Sequence, residues 1–365
     1  MVYNITEKNK MRGQWEIMWN VFRKKQLYYL IENANWSIRW DGEYLCNSLN
    51  KQNLINAEVK SSIPHCRNRI IHFGSINLFL DSNGNTLMAD KLNNRNQIVV
   101  TWFHVVPDSV RNEKIGLLAK QVDILHTSSV ITRDKLVKLG FPAEKIVVIP
   151  LGIDLAHFRR FAEDERRGFR IKLGIPRDKI VIGSFQKDGN GWGSGDEPKM
   201  IKGPDVFCDA VEHLATEFPI HVLLTGPARG YVKKRLEKAG ISYTHEYLKN
   251  YLDIVKYYNC LDLYLVTSRA EGGPKAILES LATGVPLVTT DVGMASTVIR
   301  NNENGFVVGI NEVEELVRCA EVIVREKNLK NEFIKNGLER ARDYNWDAVA
   351  RQYFDKIYKN LLSEL

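Results

Sequence analysis

Two glutamates, Glu271 and Glu279, are eight residues apart in the segment EGGPKAILE, and Gly272-Gly273-Pro274 follows the first of them. Glycines without side chains let a ligand approach the backbone, and proline suits the first residue of a helix. The start of a helix directs free N–H groups at anions such as phosphate, and carboxylates accept paired hydrogen bonds from hydroxyls. The spacing therefore indicates a nucleotide-sugar site, and the alternative is that both glutamates are solvated helix charges.

The elements that would position these residues alternate between short apolar runs and segments of helical period. Such runs, rich in β-branched residues and not strictly alternating, are typical of buried parallel strands. Strands are predicted at 26–32, 69–75, 98–104, 124–128 and 145–150, and again at 180–185, 220–226, 261–268 and 285–291. Helices are predicted at 134–140, 203–217, 230–239, 249–259, 274–284 and 312–326. The fold class is therefore α/β, with two Rossmann-like doubly wound domains facing each other across a cleft.

The positive charge of the chain is unevenly distributed. The net charge is +7, and residues 1–150 carry the whole excess while the rest is balanced. This favours an anionic partner for the first half, such as a membrane surface, a phosphorylated lipid or nucleic acid, and the alternative is a solvated basic surface. Nucleic acid is not expected, because no helix-turn-helix, RNP-like or zinc motif occurs.

Segment 11–25 has aromatic residues and methionines at helical spacing, followed by a basic triplet. This pattern has the look of an interfacial membrane helix, and the alternative, which is the more frequent case for an aromatic stripe at helical spacing, is a helix that packs on the protein. No apolar run is long enough to span a bilayer, the start lacks a signal peptide, and the five scattered cysteines are typical of a reducing compartment. We expect a cytoplasmic protein that contacts the inner face of the membrane peripherally.

EGGPKAILE resembles the E-x7-E motif of retaining glycosyltransferases of the GT-B fold, specifically glycosyltransferase family 4, also called glycosyl transferases group 1. The resemblance extends over about residues 98–350 and includes the segments 122–154, 261–293 and 302–308. It implies transfer of a sugar, with retention, from a UDP- or GDP-type nucleotide sugar to the hydroxyl of a carbohydrate or lipid-linked acceptor. It also implies that no cofactor or metal is needed, and it suggests surface polysaccharide or glycolipid synthesis.

The resemblance assigns domains as well. It implies an N-terminal Rossmann-like acceptor domain over 1–153, preceded by a helical extension, and a C-terminal nucleotide-sugar donor domain over 154–345. The amphipathic helix at 346–365, with apolar residues along one face, is expected to pack across the domain junction.

The resemblance implies a set of residues that contact successive parts of the donor, from its sugar to its ribose. Glu271 contacts sugar hydroxyls, Gly272, Gly273 and Pro274 hold the diphosphate, and Glu279 contacts the ribose. Lys202, in a Lys-Gly pair, neutralises the phosphates as the sugar leaves.

The other implied residues lie elsewhere on the predicted cleft. His104 ends a strand and is expected beside the reacting sugar, so that His104, Glu271 and Lys202 form the catalytic set; the alternative for His104 is a structural role. Gly226 is expected to bind the donor, and Tyr247 and Leu248 to contact the base.

The chain departs from the family pattern in the second domain. Ser184 stands where many members have arginine, and the loop that leads to Lys202 is about a dozen residues longer. We expect Lys187 to supply the missing cation. The glycine-rich insert at 186–201, with Trp192, is interpreted as a mobile lid or as a surface loop.

A second departure lies after the first strand, where the family often has a glycine-rich turn. Here ENANWSIRWDGEYL (32–45) is predicted to be a turn that recognises the acceptor. Indole faces stack on sugar rings and a guanidinium binds phosphate, and the alternative is aromatic packing at a domain corner. The predicted acceptor residues are Trp36, Arg39, Trp40, Asp41 and Gly42.

Two other functions fit parts of this pattern. A nucleotide-sugar epimerase of the same fold would bind the same donor, and a catalytically inactive protein would bind it without turnover. The absent arginine favours the second alternative, whereas Lys202, Glu271 and Glu279 favour transfer.

Overall fold

The chain folds around two parallel β-sheets. The computed structural model describes residues 26–33, 37–87, 95–106 and 109–365, with only the backbone of Ser37. The first sheet has the order β2-β1-β3-β4-β5-β6 and the second β12-β11-β10-β7-β8-β9. The strands are β1 (Leu27–Leu30), β2 (Ala57–Lys60), β3 (Ile70–Phe73), β4 (Gln97–Thr101), β5 (Ile124–Thr127), β6 (Ile146–Val148), β7 (Ile180–Ser184), β8 (Ile220–Thr225), β9 (Ser242–Glu246), β10 (Leu263–Val266), β11 (Leu287–Thr290) and β12 (Phe306–Val308).

The predicted α/β class with two doubly wound sheets is confirmed. The central strands are buried along their whole length, as β8 and β10 show, so their uninterrupted apolar runs identified them. Three strands, β2, β9 and β12, were not predicted, and all three lie at sheet edges. Strands β2 and β9 contain polar residues, as edge strands with a single neighbour often do, and β12 has only three residues. None of the three therefore has the long apolar run of a central strand.

Helices cover both faces of each sheet, as crossover connections between parallel strands require. Around the first sheet they are α1 (Ser37–Lys51), α2 (Ile76–Phe79), α3 (Val110–Glu113), α4 (Ile115–Gln121) and α5 (Val130–Lys138). Around the second sheet and at the end of the chain they are α6 (Glu163–Lys172), α7 (Pro204–Leu214), α8 (Gly230–Lys238), α9 (Ile254–Tyr258), α10 (Lys275–Ala282), α11 (Ala295–Val298), α12 (Val313–Arg325), α13 (Lys327–Arg342), α14 (Trp346–Tyr353) and α15 (Lys359–Ser363). In the part of the chain that the structure describes, none of the helices has both the length and the apolar character needed to cross a bilayer.

The predicted turn at 32–45 is wrong, because residues 37–51 form helix α1. Leu45 and Leu49 are buried on one face of this helix. Gly42 lies on the same face, where an added Cβ would be 2.7 Å from the side chains of Ile31 and Tyr29. Helix α1 therefore packs closely on β1. Helices α6 and α13 were also not predicted; charged residues dominate α6, and α13 has few buried residues.

The C-terminal segment packs against the first sheet and helix α1. Asp347 accepts a hydrogen bond from Ser48 and pairs with Lys51 at 2.8 Å. Trp346 lies over Gly152, whose added Cβ would be 2.5 Å from the indole. The predicted single helix is interrupted, because residues 354–358 form one π-helical turn between α14 and α15. The domain limits at 153 and 345 stay predictions.

A buried polar network connects this segment to the middle of the first sheet. His72 is 2.7 Å from the hydroxyl of Tyr358 and 2.8 Å from that of Thr101. Thr101 is 2.9 Å from His126, which also lies 3.0 Å from the hydroxyl of Tyr353. Burial lowers the pKa of both histidines, to about 4 for His126. Both imidazoles are therefore neutral in the folded protein at pH 7.

This network predicts that the protein loses stability in mild acid. The pKa of His126 is about 4 when folded and about 6.5 when unfolded, so the unfolded state binds the proton first. The stability contributed by the neutral imidazole is complete above pH 6.5 and falls by about 3 kcal/mol as the pH drops to 4. Urea unfolding at a series of pH values gives the free energy of unfolding as a function of pH. Between pH 4 and 6.5 this free energy should change less steeply with pH for His126→Asn than for wild type. Equal slopes in the two proteins would contradict the prediction.

Candidate functional site

A cavity of about 670 Å³ lies between the two sheets. Its lining comes from the segments that follow β4, β7, β8, β9 and β10, together with helix α1 and the start of α10. Ligands of open parallel sheets bind beyond the carboxyl ends of the strands. This cavity lies beyond the carboxyl ends of strands from both sheets.

Glu271 and Lys202 form an ion pair in this cavity. The Lys202 Nζ is 2.5 Å from Glu271 Oε1, and both side chains are largely buried. Ser268 donates to the same carboxylate oxygen at 2.9 Å, and Gln186 donates to the Lys202 carbonyl at 2.9 Å. Gly203, which follows Lys202, has φ +61° and would place a Cβ 1.9 Å from the Thr267 carbonyl oxygen. The lysine is therefore held beside the glutamate by a turn that only glycine can make.

The glycines after Glu271 bring the two domains together. A Cβ on Gly272 would be 1.9 Å from the carbonyl oxygen of Phe103, and one on Gly273 would be 2.7 Å from Ser128 Oγ. Phe103 and Ser128 follow β4 and β5 of the first sheet. The glycines, expected to admit a ligand, thus also allow close contact between the domains. Pro274 caps α10, whose first residue is Lys275.

We expect Gly272→Ala to destabilise this arrangement. The new methyl group cannot share space with the Phe103 carbonyl, so the domains must shift, at a cost of about 1–3 kcal/mol. Thermal unfolding measures this directly. Gly168→Ala is the matched control, because Gly168 lies in helix α6 with open space around it, where alanine should stabilise by about 0.5–1 kcal/mol. Equal effects of the two substitutions would contradict the proposed contact.

Glu279 is deeply buried at the far end of the cavity. One carboxylate oxygen accepts a hydrogen bond from Tyr251, and the other accepts one from Tyr258 at 2.9 Å. Burial raises the pKa of Glu279, while Lys275 and the two tyrosines lower it. The hydroxyl donors and the nearby ammonium therefore support the charged carboxylate in an environment that otherwise disfavours it.

Lys275 and Asp41 connect the two domains across the cavity. The Lys275 Nζ is 2.5 Å from Asp41 Oδ1, with side-chain exposures of 10% and 5%. The same ammonium lies 5.7 Å from the centre of the Tyr251 ring. Burial raises the pKa of Asp41, and Lys275 opposes that shift. This pair links helix α1 to the first residue of α10, on the side of the cavity that contains Glu279.

His104 lies where β4 opens into the cavity and keeps an exposed edge. Loss of solvation against the cavity wall lowers the pKa of its imidazole, Glu271 raises it, and Lys202 and Lys199 lower it again. The imidazole is therefore neutral at pH 7. The side chain lines the same cavity as the Glu271–Lys202 pair, and its place beside a reacting sugar stays a prediction.

Arg229 fills the space beside Ser184, where the family pattern has an arginine. Its Nη1 donates to the carbonyls of Ser184 at 2.7 Å and Thr225 at 2.9 Å. Its Nε is 2.9 Å from Asp188 Oδ1, and both side chains are inaccessible to solvent. This guanidinium comes from the residue before α8 and stabilises the turn below the cavity. It does not line the cavity.

The remaining predicted donor residues lie along one wall of the cavity. Gly226 has φ +90°, which favours glycine, and its carbonyl lies 2.8 Å from His245 Nε2. Tyr247 is 66% exposed, and Leu248 is partly buried. Both follow β9 and line the cavity with Lys187.

The predicted acceptor residues separate into two groups. Asp41 lines the cavity, as does its neighbour Ile38. Arg39, Trp40 and Gly42 lie on helix α1 and do not line it. Trp36 lies outside the described residues, as does the predicted helix at 11–25.

Among the residues that line the cavity, sequence reasoning missed Lys275, Tyr251 and Lys199, which carry polar groups. Lys275 follows the glycine-proline turn directly, so its position at a helix start was a usable signal. Tyr251 was included in a predicted helix and instead lies in a 3₁₀ turn. Lys199 lies in the insert, where no sequence pattern indicated that it would line the cavity. Among the described residues no three His, Cys, Asp or Glu side chains are grouped as a metal site.

Comparison with known proteins finds a family match in the second half of the chain. Residues 197–340 match the family model described as "Glycosyl transferases group 1". The lipopolysaccharide core biosynthesis mannosyltransferase LpsB of Rhizobium meliloti is 30% identical over 227 residues, which are 59% of this chain and 61% of that protein. A D-inositol 3-phosphate glycosyltransferase of Jonesia denitrificans is 23% identical over 57% of this chain and 50% of its own length. The chain thus spans about half to three fifths of these relatives.

Solved structures show the same fold over nearly the whole chain. Anabaena Alr3699/HepE, solved in complex with UDP and glucose, has a TM-score of 0.71 at 15% identity and covers 92% of this chain and 100% of its own. Sucrose-phosphate synthase of Thermosynechococcus elongatus has a TM-score of 0.70 at 14% identity, covering 94% and 100%. Two facing six-stranded parallel sheets are thus the GT-B architecture, as predicted.

Proposed function

We propose that this protein is a retaining glycosyltransferase of family 4 that transfers a sugar from a nucleoside diphosphate to an acceptor hydroxyl. The observation that carries the proposal is the shared cavity of the Glu271–Lys202 pair and the buried Glu279. These residues lie within the segment that matches the group 1 family model. The activity in the names of the relatives supports the class of reaction.

The donor binds along this cavity with its sugar at Glu271 and its ribose at Glu279. Each Glu279 oxygen has two lone pairs and uses one for a tyrosine, which leaves one on each oxygen for a ribose hydroxyl. Tyr247 and Leu248 contact the base. The UDP in the complex of the structural neighbour supports a donor of the UDP or GDP type.

Lys202 acts on the leaving group. As the bond between the anomeric carbon and the phosphate oxygen breaks, negative charge grows on that oxygen, and a fixed ammonium stabilises it. The departing phosphate takes the proton of the acceptor hydroxyl, whose oxygen forms the new bond on the same face. Lys202 and Lys187 balance the diphosphate charge, so the reaction proceeds without a metal. Neutral His104 lies beside the reacting sugar.

The acceptor hydroxyl approaches the sugar from the first domain, on the side where His104 lies, while Asp41 pairs with Lys275 on the side of the ribose. We propose a carbohydrate or lipid-linked acceptor of a surface polysaccharide or glycolipid. The lipopolysaccharide role in the name of one relative supports this class, and so does the basic first half of the chain, which favours peripheral contact with an anionic membrane.

The proposal is tested by following the anomeric proton of the donor in NMR. UDP- and GDP-sugars are incubated with the protein and a panel of monosaccharide and lipid-linked acceptors. We expect the donor signal to be replaced by a glycosidic signal of the same anomeric configuration. An inverted product would contradict retention, an epimerised sugar without acceptor would favour the epimerase, and binding without turnover would favour the inactive protein.

A further inference from the structure

The insert between β7 and Lys202 is a folded hairpin. Gly189 pairs with Pro198 in an antiparallel bridge, and the Asn190 N–H donates to the Glu197 carbonyl at 2.9 Å. The Lys199 N–H donates to the Asp188 carbonyl at 2.7 Å. This cross-strand pairing shows local structure that the sequence did not predict, and whether the insert acts as a lid stays a prediction. We call residues 186–199 the insert hairpin.

The insert hairpin is also fixed to the start of helix α8. Gly195 packs on Ala228, where an added Cβ would be 2.1 Å from the backbone. The N–H groups of Gly230 and Tyr231 donate to hairpin carbonyls at 2.8 and 2.9 Å. The buried Asp188–Arg229 pair holds its base. A loop anchored by so many backbone contacts has a defined orientation relative to the cavity.

The tip of the insert hairpin presents a tryptophan to the cavity. Trp192 is 68% exposed, which is unusual for a large aromatic side chain. The Lys187 Nζ lies 3.8 Å from the centre of its ring, within the range of a cation–π interaction. Both side chains line the cavity that contains Lys202.

Three ammonium groups lie close together in the part of the cavity beside Trp192. They belong to Lys187, Lys199 and Lys202. Burial lowers the pKa of Lys199, Lys202 and Lys187 lower it further, and Glu271 raises it. The three like charges repel each other, and a diphosphate bound between them would be attracted to all three. The indole face keeps the Lys187 ammonium in place without neutralising it.

We propose that the insert hairpin is a built part of the donor site, in which Trp192 is a positioning residue for Lys187. Trp192 holds the ammonium of Lys187 at the phosphate end of the cavity, and Lys187 contacts the diphosphate of a nucleoside diphosphate. Arg229 cannot take that role, because it is buried and bound to Asp188. The inference rests on the proposed function, since it requires a diphosphate in this cavity.

The test compares the binding of a nucleoside diphosphate with that of its nucleoside. Calorimetric titrations of the full chain use UDP with uridine, and GDP with guanosine, at low salt. Lys187→Met should weaken diphosphate binding about tenfold, because a charge-assisted contact is lost. Trp192→Ala should weaken it about threefold to fivefold, and Trp192→Phe, which keeps a ring, should restore it. Nucleoside binding should stay the same in all variants.

The double variant separates positioning from an independent contact. If Trp192 acts through Lys187, adding Trp192→Ala to Lys187→Met causes no further loss. An additive loss would overturn the inference, and so would equal weakening of diphosphate and nucleoside by Trp192→Ala. If the wild type binds neither diphosphate more tightly than its nucleoside, the proposed function itself fails. Thermal unfolding of each variant verifies that it is folded.

Discussion

Lys202→Met should reduce the rate of sugar transfer about 10²- to 10³-fold. The ammonium of Lys202 is fixed 2.5 Å from Glu271 in the cavity, where water is largely excluded and a charge stabilises a transition state strongly. Methionine keeps the length and the apolar stem of the side chain and removes only the charge. The initial rate of nucleoside diphosphate release, measured with the donor and acceptor found by NMR, gives the size of the effect.

Lys256→Met is the matched control for this measurement. Lys256 pairs with Asp253 within one helical turn on the surface, where both side chains are more than 40% exposed. The rate of this variant should be close to that of wild type, because exposed pairs contribute little. A Lys202→Met rate within threefold of wild type would contradict the proposed role of the lysine in leaving-group departure.

Arg229→Met should destabilise the protein by about 3–5 kcal/mol. The substitution leaves Asp188 buried without its partner, and the cost of an uncompensated buried charge is of that size. Burial already raises the pKa of Asp188, and Arg229 opposes that shift. Two backbone carbonyls also lose their donor. Chemical denaturation at pH 7 measures the difference in free energy of unfolding.

The control and the compensating variant make this prediction specific. Arg300→Met removes an exposed partner of Glu303, both more than half exposed, and should change stability by less than about 0.5 kcal/mol. Adding Asp188→Asn to Arg229→Met should recover part of the loss, because the buried charge is then gone. An Arg229→Met effect equal to that of Arg300→Met would show that the buried pair contributes nothing.

The sequence predicted the donor side of the candidate cavity better than the acceptor side. Glu271, Lys202 and Glu279 lie in segments whose glycines, strand ends and helix starts define their positions locally, and the structure brings them to one cavity. Arg229 was not predicted, because its proximity to Ser184 arises from a contact between the residue before α8 and the end of β7, 45 positions away in the sequence. Such a contact between distant segments leaves no local pattern in a single sequence.

The errors in the fold have a similar origin. The segment around Gly42 was predicted to be a turn, because the family pattern often has a glycine-rich turn after the first strand. The glycine instead allows α1 to approach Tyr29 and Ile31, which is a tertiary requirement. The insert hairpin likewise depends on contacts with Ala228. Periodicity predicts elements that bury one face, and it does not predict where two elements touch.

The most direct test of the central claim is a thermal-shift panel of UDP-, GDP-, ADP- and TDP-sugars with wild type, Glu279→Gln and the surface control Glu303→Gln. Glutamine keeps the shape of the side chain and an acceptor for one of the two tyrosines, and it removes the charge that would bind the ribose. A ligand at 100 times its Kd adds about 2.7 kcal/mol. We predict that one nucleotide class stabilises wild type and Glu303→Gln and that Glu279→Gln loses this response. No shift with any nucleotide sugar at millimolar concentration would contradict a donor site in this cavity.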